Sequence, residues 1–311
     1  LGYLPVQFRS VPEGTLLPIR VPFIKWWNTH PEFAWVVLFL ESYISAALWK
    51  VITAATIASC LKRLSLYYAN KTSLDHEYVD YQMHDFSMRG LSSPEEAATT
   101  GLGHLASFKG TDSVAALVWA KKVYTDKINL GGSVPATEHS IMMLGQAVES
   151  EKDTVLRLLD IYPTGILSIV ADTTDYWNFL VNVIGDNEVR YRIKERDGKV
   201  VIRPDSGDPI KIVCGDPESD DPFARMGSLQ ILANIFRYTL NEFKCREIES
   251  YIGLIYGDGI TYTRAEQILG KMYEQGFAAG NIVFGVGSYT YQYITRDSLA
   301  MAVKTTYAEI N

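Results

Sequence analysis

The chain has 311 residues, 47% of them hydrophobic and 21% charged, with a formal net charge of −7. That composition suits a soluble globular protein with a substantial core. The acidic balance excludes a general nucleic-acid surface and requires a local basic cluster for any anionic ligand.

Residues 3–40 carry short apolar runs broken by Pro, Gly and Asn: "LPVQFRSVPEG", "TLLPIRVPFIKW" and "FAWVVLFLE". They predict strands and turns. From Glu41 to about Asn70 the apolar spacing becomes helical. The run from Phe33 to Lys62 is the best membrane candidate. Glu41 and Lys50 interrupt it, leaving no uncharged stretch near the ~18 residues of a span, so a buried helix and no membrane are expected. No signal-peptide pattern is read. The chain starts on Leu1 and is expected to be a fragment of a longer protein. Cys60, Cys214 and Cys245 show no C-x-x-C pair and no metal spacing, which fits a reducing cytoplasm.

Beyond Asn70, helices and short apolar strands alternate. Helices are predicted over 93–108, 111–125, 150–162, 172–185, 227–243 and 263–277, and strands over 165–172, 199–205, 251–259 and 281–288. Strands between helices imply parallel βα units, whose C-terminal ends converge on one face in a barrel. The reading divides the chain into a strand-rich segment with its helix, 1–75, and an α/β-barrel catalytic domain, 76–311.

Several of those strand ends carry chemistry. "RPDSGDP" (Arg203–Pro209) packs a cation, carboxylates and a hydroxyl into one turn. Arg203 suits phosphate, and Asp205 suits a sugar hydroxyl or a Mg²⁺-bound water. A helix cap with a surface ion pair is the blander reading. "YGDGI" places Asp258 between glycines that admit close backbone approach. "FGVGS" (Phe284–Ser288) is a plausible phosphate cradle. Three such turns suggest a phosphorylated sugar. "HDFSMRG" (His84–Gly90) sets Phe86 beside Arg89, "SFKGTD" ends on Asp112, and "SVPATEHS" carries Glu138 and His139.

In order, "SVPEG", "HDFSMRG", "FKGTD", "SVPATEHS", "RPDSGDP", "GDG" and "TRD" resemble the nicotinamide phosphoribosyltransferase family over nearly the whole chain. "FGVGSYTYQYITRD" is similar to the phage and bacterial form of its phosphate loop. The resemblance implies an irregular α/β barrel of the type II phosphoribosyltransferase kind, with a strand-rich N-terminal part. It implies an ATP-stimulated pentosyltransferase of NAD salvage that makes nicotinamide mononucleotide and pyrophosphate. The substrates are nicotinamide and phosphoribosyl pyrophosphate, with Mg²⁺ carried by the pyrophosphate, at the shared site of a cytoplasmic homodimer.

Carried over by motif, Phe86 stacks on the pyridine ring with Arg89 beside it. Asp112 accepts the carboxamide NH₂, and Arg203 and Ser168 fix the carboxamide side. Asp205 and Asp258 hold the ribose hydroxyls, with Asp205 near the Mg²⁺-pyrophosphate and no direct protein ligand to the metal. Gly257, Gly287 and Ser288 frame ribose and 5′-phosphate. Arg296 and Lys304 reach phosphates from the partner subunit. His139 is the residue phosphorylated by ATP, with Asp172 and Glu138 close to it or to the base. Ser288 and Tyr289 stand where many members have further glycines. The family's N-terminal Asp-Ser-Tyr-Lys motif and its C-terminal segment lie outside these 311 residues, so this chain alone is expected to be inactive. A nicotinate phosphoribosyltransferase and a non-catalytic binding remnant are the rival readings.

Overall fold

The computed structural model describes residues 2–124 and 130–309. β1 (Val6–Ser10) pairs antiparallel with β2 (Ile24–Asn28). A single 39-residue helix, α1 (Ala34–Thr72), follows. The strand-and-turn expectation for "FAWVVLFLE" is therefore corrected: from Ala34 onward that run is the start of α1. Pro31 in the preceding 3₁₀ turn brings a fixed φ suited to a helix start. An apolar run this short does not by itself distinguish strand from helix.

By length and composition α1 could cross a membrane, and a third of its most apolar stretch is buried. Ala54, Ala58, Leu61 and Leu64 form one stripe of the helix and join the main core. Trp35, Leu38, Phe39 and Tyr43, nearer its start, are exposed.

The remaining elements are β3 (Met83–Asp85), α2 (Pro94–Leu105), β4 (Gly110–Thr111), α3 (Val114–Val123), α4 (His139–Gln146), α5 (Glu151–Ile161) and β5 (Thr164–Val170). Then come α6 (Tyr176–Asn178), which runs on as a π-helical stretch to Ile184, α7 (Asn187–Glu195), β6 (Asp197–Arg203), α8 (Pro209–Cys214) and α9 (Pro222–Phe236). The chain finishes with β7 (Tyr238–Leu240), β8 (Arg246–Ile248), β9 (Ile252–Tyr256), α10 (Tyr262–Glu274), β10 (Ile282–Val286) and α11 (Ser288–Gln292). The expected helix to Phe243 ends instead at Phe236, where Arg237 takes a φ of 72° and the chain turns into the β7–β8 hairpin. The predicted helix over 111–125 begins later, at Val114, and Thr125 lies outside the described residues.

Six strands form one parallel sheet in the order β4-β3-β10-β9-β6-β5. Its two edges are joined by the segment 132–137. Gly132 exchanges backbone hydrogen bonds with Lys109 and Thr111 beside β4, and Thr137 N–H donates to Ser168 O on β5 at 2.9 Å. An irregular seventh strand thus closes the sheet into the expected barrel.

The two faces of the sheet differ. Leu167, Val200, Ile202, Leu254 and Phe284 point outward into the core beneath the helices. The register puts Ser168 beside Val201, Val201 beside Gly253, and Gly285 beside His84 on the other face. Ser168, Gly253 and Gly285 bring little side-chain bulk to that inner face of the barrel.

Candidate active site

The "RPDSGDP" turn divides its labour. Asp208 caps α8, accepting from the N–H groups of Ile210 and Lys211, with Pro209 at the first helical position. Gly207 takes a φ of +88°, and Tyr256 Oη donates to its carbonyl at 2.9 Å, which pins the turn. The capping role belongs to Asp208, and Asp205 is left for other work.

Arg203, at the end of β6, is only 5% exposed. Its Nη2 and Nε donate to Asp205 at 2.8–3.2 Å in a forked pair. Nη2 also lies 3.6 Å from Glu138 Oε2, and Glu138 Oε1 accepts from the exposed Arg89 at 3.0 Å. The guanidinium stands 5.3 Å from the centre of the Phe86 ring. Burial disfavours its charge, but Asp205 and Glu138 outweigh that and raise its pKa further.

Asp172 follows β5. Its Oδ1 lies 3.0 Å from His139 Nε2, and its Oδ2 accepts from the backbone N–H of Asp205 at 3.0 Å. Burial pushes its pKa up, yet hydrogen bonds from Ser206, the Asp205 backbone and His139 hold it below the usual carboxylate range. His139 opens α4, where the closing strand ends.

Asp112, after β4, is drawn into the lumen. Its side chain meets His84 Nε2 at 2.8 Å and accepts from Ser133 Oγ. It does not cap α3; Ser113 holds that position. Burial raises its pKa, while His84, Ser133 and Arg203 more than offset this and keep it ionised. His84 and Ser133 were given no role by sequence reasoning. The signal was available, since His84 sits one residue from β-partnered Asp85 and two from Phe86, on the Phe86 face.

The glycines of the last two strand ends are required sterically. A Cβ on Gly257 would collide with Asp205 Oδ1, and one on Gly285 would collide with the Phe86 ring. A Cβ on Gly90 would strike Ser288, so the Met88–Gly90 turn rests directly on the start of α11. Gly287 leads into Ser288 at that start. Ser168 is buried on β5, with its N–H and C=O paired to the closing strand. Asp258 is exposed at the end of β9.

The barrel end thus brings together Phe86, Arg89, Asp112, Glu138, His139, Asp172, Arg203, Asp205 and Gly257. Arg296 and Lys304 lie elsewhere: Arg296 pairs with Asp297, and Lys304 Nζ is 3.7 Å from Glu41 on α1. Among the described residues no group of three or more His, Cys, Asp or Glu side chains is placed to hold a metal ion.

A model of the nicotinate phosphoribosyltransferase (NAPRTase) family matches residues 81–311. The chain belongs to that family. It is 47% identical over 317 aligned positions to a nicotinamide phosphoribosyltransferase of Acinetobacter baylyi, covering 100% of this chain and 63% of the relative. It is 35% identical to the protein of that name in Mycoplasma pneumoniae, over 97% of this chain and 64% of the relative. The one in Mycoplasma genitalium is 33% identical, over 99% and 66%. The chain therefore spans a little under two thirds of the length of these relatives. A solved nicotinate-nucleotide pyrophosphorylase from Pyrococcus furiosus superposes with a TM-score of 0.56 at 14% identity, over 93% of this chain and 58% of that one. At that identity the likeness speaks for the phosphoribosyltransferase-type barrel alone.

Proposed function

We propose that the intact protein transfers the phosphoribosyl group of phosphoribosyl pyrophosphate to nicotinamide, giving nicotinamide mononucleotide and pyrophosphate. The observation that carries this reading is the trio around the lumen. The Phe86 ring faces the Arg203 guanidinium, and the ionised Asp112 lies within the field of that guanidinium, fixed by His84 and Ser133. This trio suits a planar base with an amide donor: its ring would stack on Phe86, and its amide NH₂ would donate to Asp112. A base bearing a carboxylate would meet Asp112 as a like charge. The names of the relatives support the same substrate.

The chemistry needs no general base, because the pyridine nitrogen is already a nucleophile. It forms a bond to the anomeric carbon as the carbon–oxygen bond to pyrophosphate breaks, and that electron pair leaves with the pyrophosphate. The protein's part is positioning and charge. Asp205 and Asp258 orient the ribose hydroxyls and favour the positive sugar of the transition state. The Gly287–Ser288 turn receives the 5′-phosphate. When bound with the pyrophosphate, Mg²⁺ would neutralise the leaving group, beside Asp205. His139, oriented by Asp172, takes a phosphoryl group from ATP. Arg296 and Lys304 serve a neighbouring subunit's site in a cytoplasmic homodimer.

The test is product formation from phosphoribosyl pyrophosphate and Mg²⁺ with nicotinamide or nicotinate, with and without ATP. Nicotinamide mononucleotide formation, stimulated by ATP, is expected. A preference for nicotinate, or binding without turnover, would overturn the reading.

A further inference from the structure

Lys50 is a buried cation far in sequence from every site residue. It projects from the middle of α1 and is 6% exposed. Its Nζ donates to the carbonyl of Tyr291 at 2.5 Å and pairs with Glu96 Oε1 of α2 at 2.8 Å. The other Glu96 oxygen accepts from the N–H of Ser92 at 2.6 Å. A buried ion pair contributes little net stability compared with apolar packing, and its best-attested use is to specify one arrangement.

The residue it grips belongs to α11, the single turn that begins at Ser288. Tyr291 is wholly buried, and its hydroxyl lies 2.8 Å from His104 Nδ1. His104 Nε2 lies 3.1 Å from the carbonyl of Gly110. A carbonyl only accepts, so Nε2 carries the proton and Nδ1 accepts a hydrogen bond from the Tyr291 hydroxyl. Thr290 Oγ1 donates to the carbonyl of Ile260. An isolated turn this short does not hold its own shape. Here its carbonyl, its tyrosine hydroxyl and its threonine are each tied to a different element.

We infer that Lys50 and His104 are positioning residues that hold α11 from behind and so fix the Gly287–Ser288 turn where a sugar 5′-phosphate binds. The inference rests on the phosphoribosyl reading above. The Lys50 ammonium sits at the C-terminal end of α11, where a cation is favoured, and its grip on Tyr291 sets the height of the turn above the barrel. Neither residue touches the substrate.

The experiment measures Kd by calorimetry for ribose 5-phosphate and, separately, for nicotinamide in the intact protein. Lys50→Met combined with Glu96→Gln removes both charges and leaves neither buried alone. The expected result is a Kd for ribose 5-phosphate raised about tenfold or more, with that for nicotinamide within about twofold. Tyr291→Phe keeps the ring, loses the bond to His104, and should raise only the ribose 5-phosphate Kd, by about threefold or more. If the double variant fails to fold, Tyr291→Phe decides. Unchanged ribose 5-phosphate affinity in the folded variants, or equal loss for both ligands, would overturn the inference alone. Wild type that binds nicotinamide but no ribose 5-phosphate would overturn the functional reading and this inference with it.

Discussion

Asp172 Oδ1 lies 3.0 Å from His139 Nε2, and this contact decides which imidazole nitrogen is available. An ionised carboxylate only accepts, so Nε2 carries the proton and Nδ1 presents its lone pair. The phosphoryl group from ATP is expected on Nδ1, with the Nε2 proton staying on the Asp172 hydrogen bond. His139→Ala should abolish ATP stimulation and leave a slower basal transfer. Labelled ATP should give an acid-labile, base-stable phosphoprotein in wild type only. Equal ATP stimulation in the variant would refute the assignment.

Asp205 holds Arg203 in a forked pair and faces the lumen. Asp205→Asn keeps the shape and loses the charge. A fall in kcat of at least tenfold is expected, corresponding to about 1.4 kcal/mol or more of transition-state stabilisation. Because Arg203 also lies against Phe86, a loosened guanidinium should weaken nicotinamide binding by a few-fold at most. Normal turnover in the variant would assign Asp205 to holding Arg203 and nothing more.

Asp112→Ser should lower kcat/KM for nicotinamide by about tenfold to a hundredfold, on the scale of a charge-assisted hydrogen bond of roughly 1.5–3 kcal/mol. Nicotinate use should rise or stay level. Since Asp112 does not cap α3, the variant should keep its thermal midpoint close to wild type. An unchanged ratio of the two kcat/KM values would remove Asp112 from base selection.

Gly285→Ala forces a methyl group into the Phe86 ring. The ring must leave its place facing Arg203. Nicotinamide affinity should fall at least tenfold, on the scale of a lost aromatic packing surface, while ribose 5-phosphate affinity stays level. Retained nicotinamide binding would show that Phe86 is not the stacking platform.

Glu96 supplies the pH dependence. Burial raises its pKa, but the Lys50 ammonium and the Ser92 N–H more than reverse that, leaving it below the ordinary glutamate value. A depressed folded-state pKa gives stability that is present above the unfolded value and lost as pH falls through the folded one. Glu96→Gln should therefore be less stable than wild type at neutral pH. The gap should close below the ordinary glutamate value, where wild type also loses the ion pair. Denaturant midpoints against pH read this directly, and a gap that widened in acid would contradict it.

The sequence showed best where local chemistry decided the structure. Ser93 and Ser150 open predicted helices and cap them, each accepting from an N–H three residues on. The long strands β5 and β6 were visible as apolar runs. β3 and β4 were not, because three and two residues are too few to show alternation. α7 was missed because only Val189 and Ile193 of its nine residues are buried. The motifs named most of the residues at the barrel end, yet not how they touch. The Asp205–Arg203 fork, the withdrawal of Asp112 from α3 and the Lys50 clamp depend on side-chain direction and on pairings of up to 241 residues' separation. Arg296 and Lys304, expected to act at a partner subunit's site, do not touch the cluster within this chain.

The place of β3 has a consequence for how the chain is made. β3 sits between β4 and β10, and its Met83 is in register with Phe284 near the other end of the chain. At 5–20 residues per second, a ribosome finishes β10 roughly 10–40 s after β3 has been synthesised. Until then the segment 132–137 can link β4 to β5, but β3 and β9 face each other as open edges across the missing strand. Phe86 and Asp112 ride on the β3 side of that gap, and Arg203 and Asp205 on the β9 side. The pocket therefore cannot exist before the last strand is inserted, and a newly made chain must keep both edges from other partners for that whole interval.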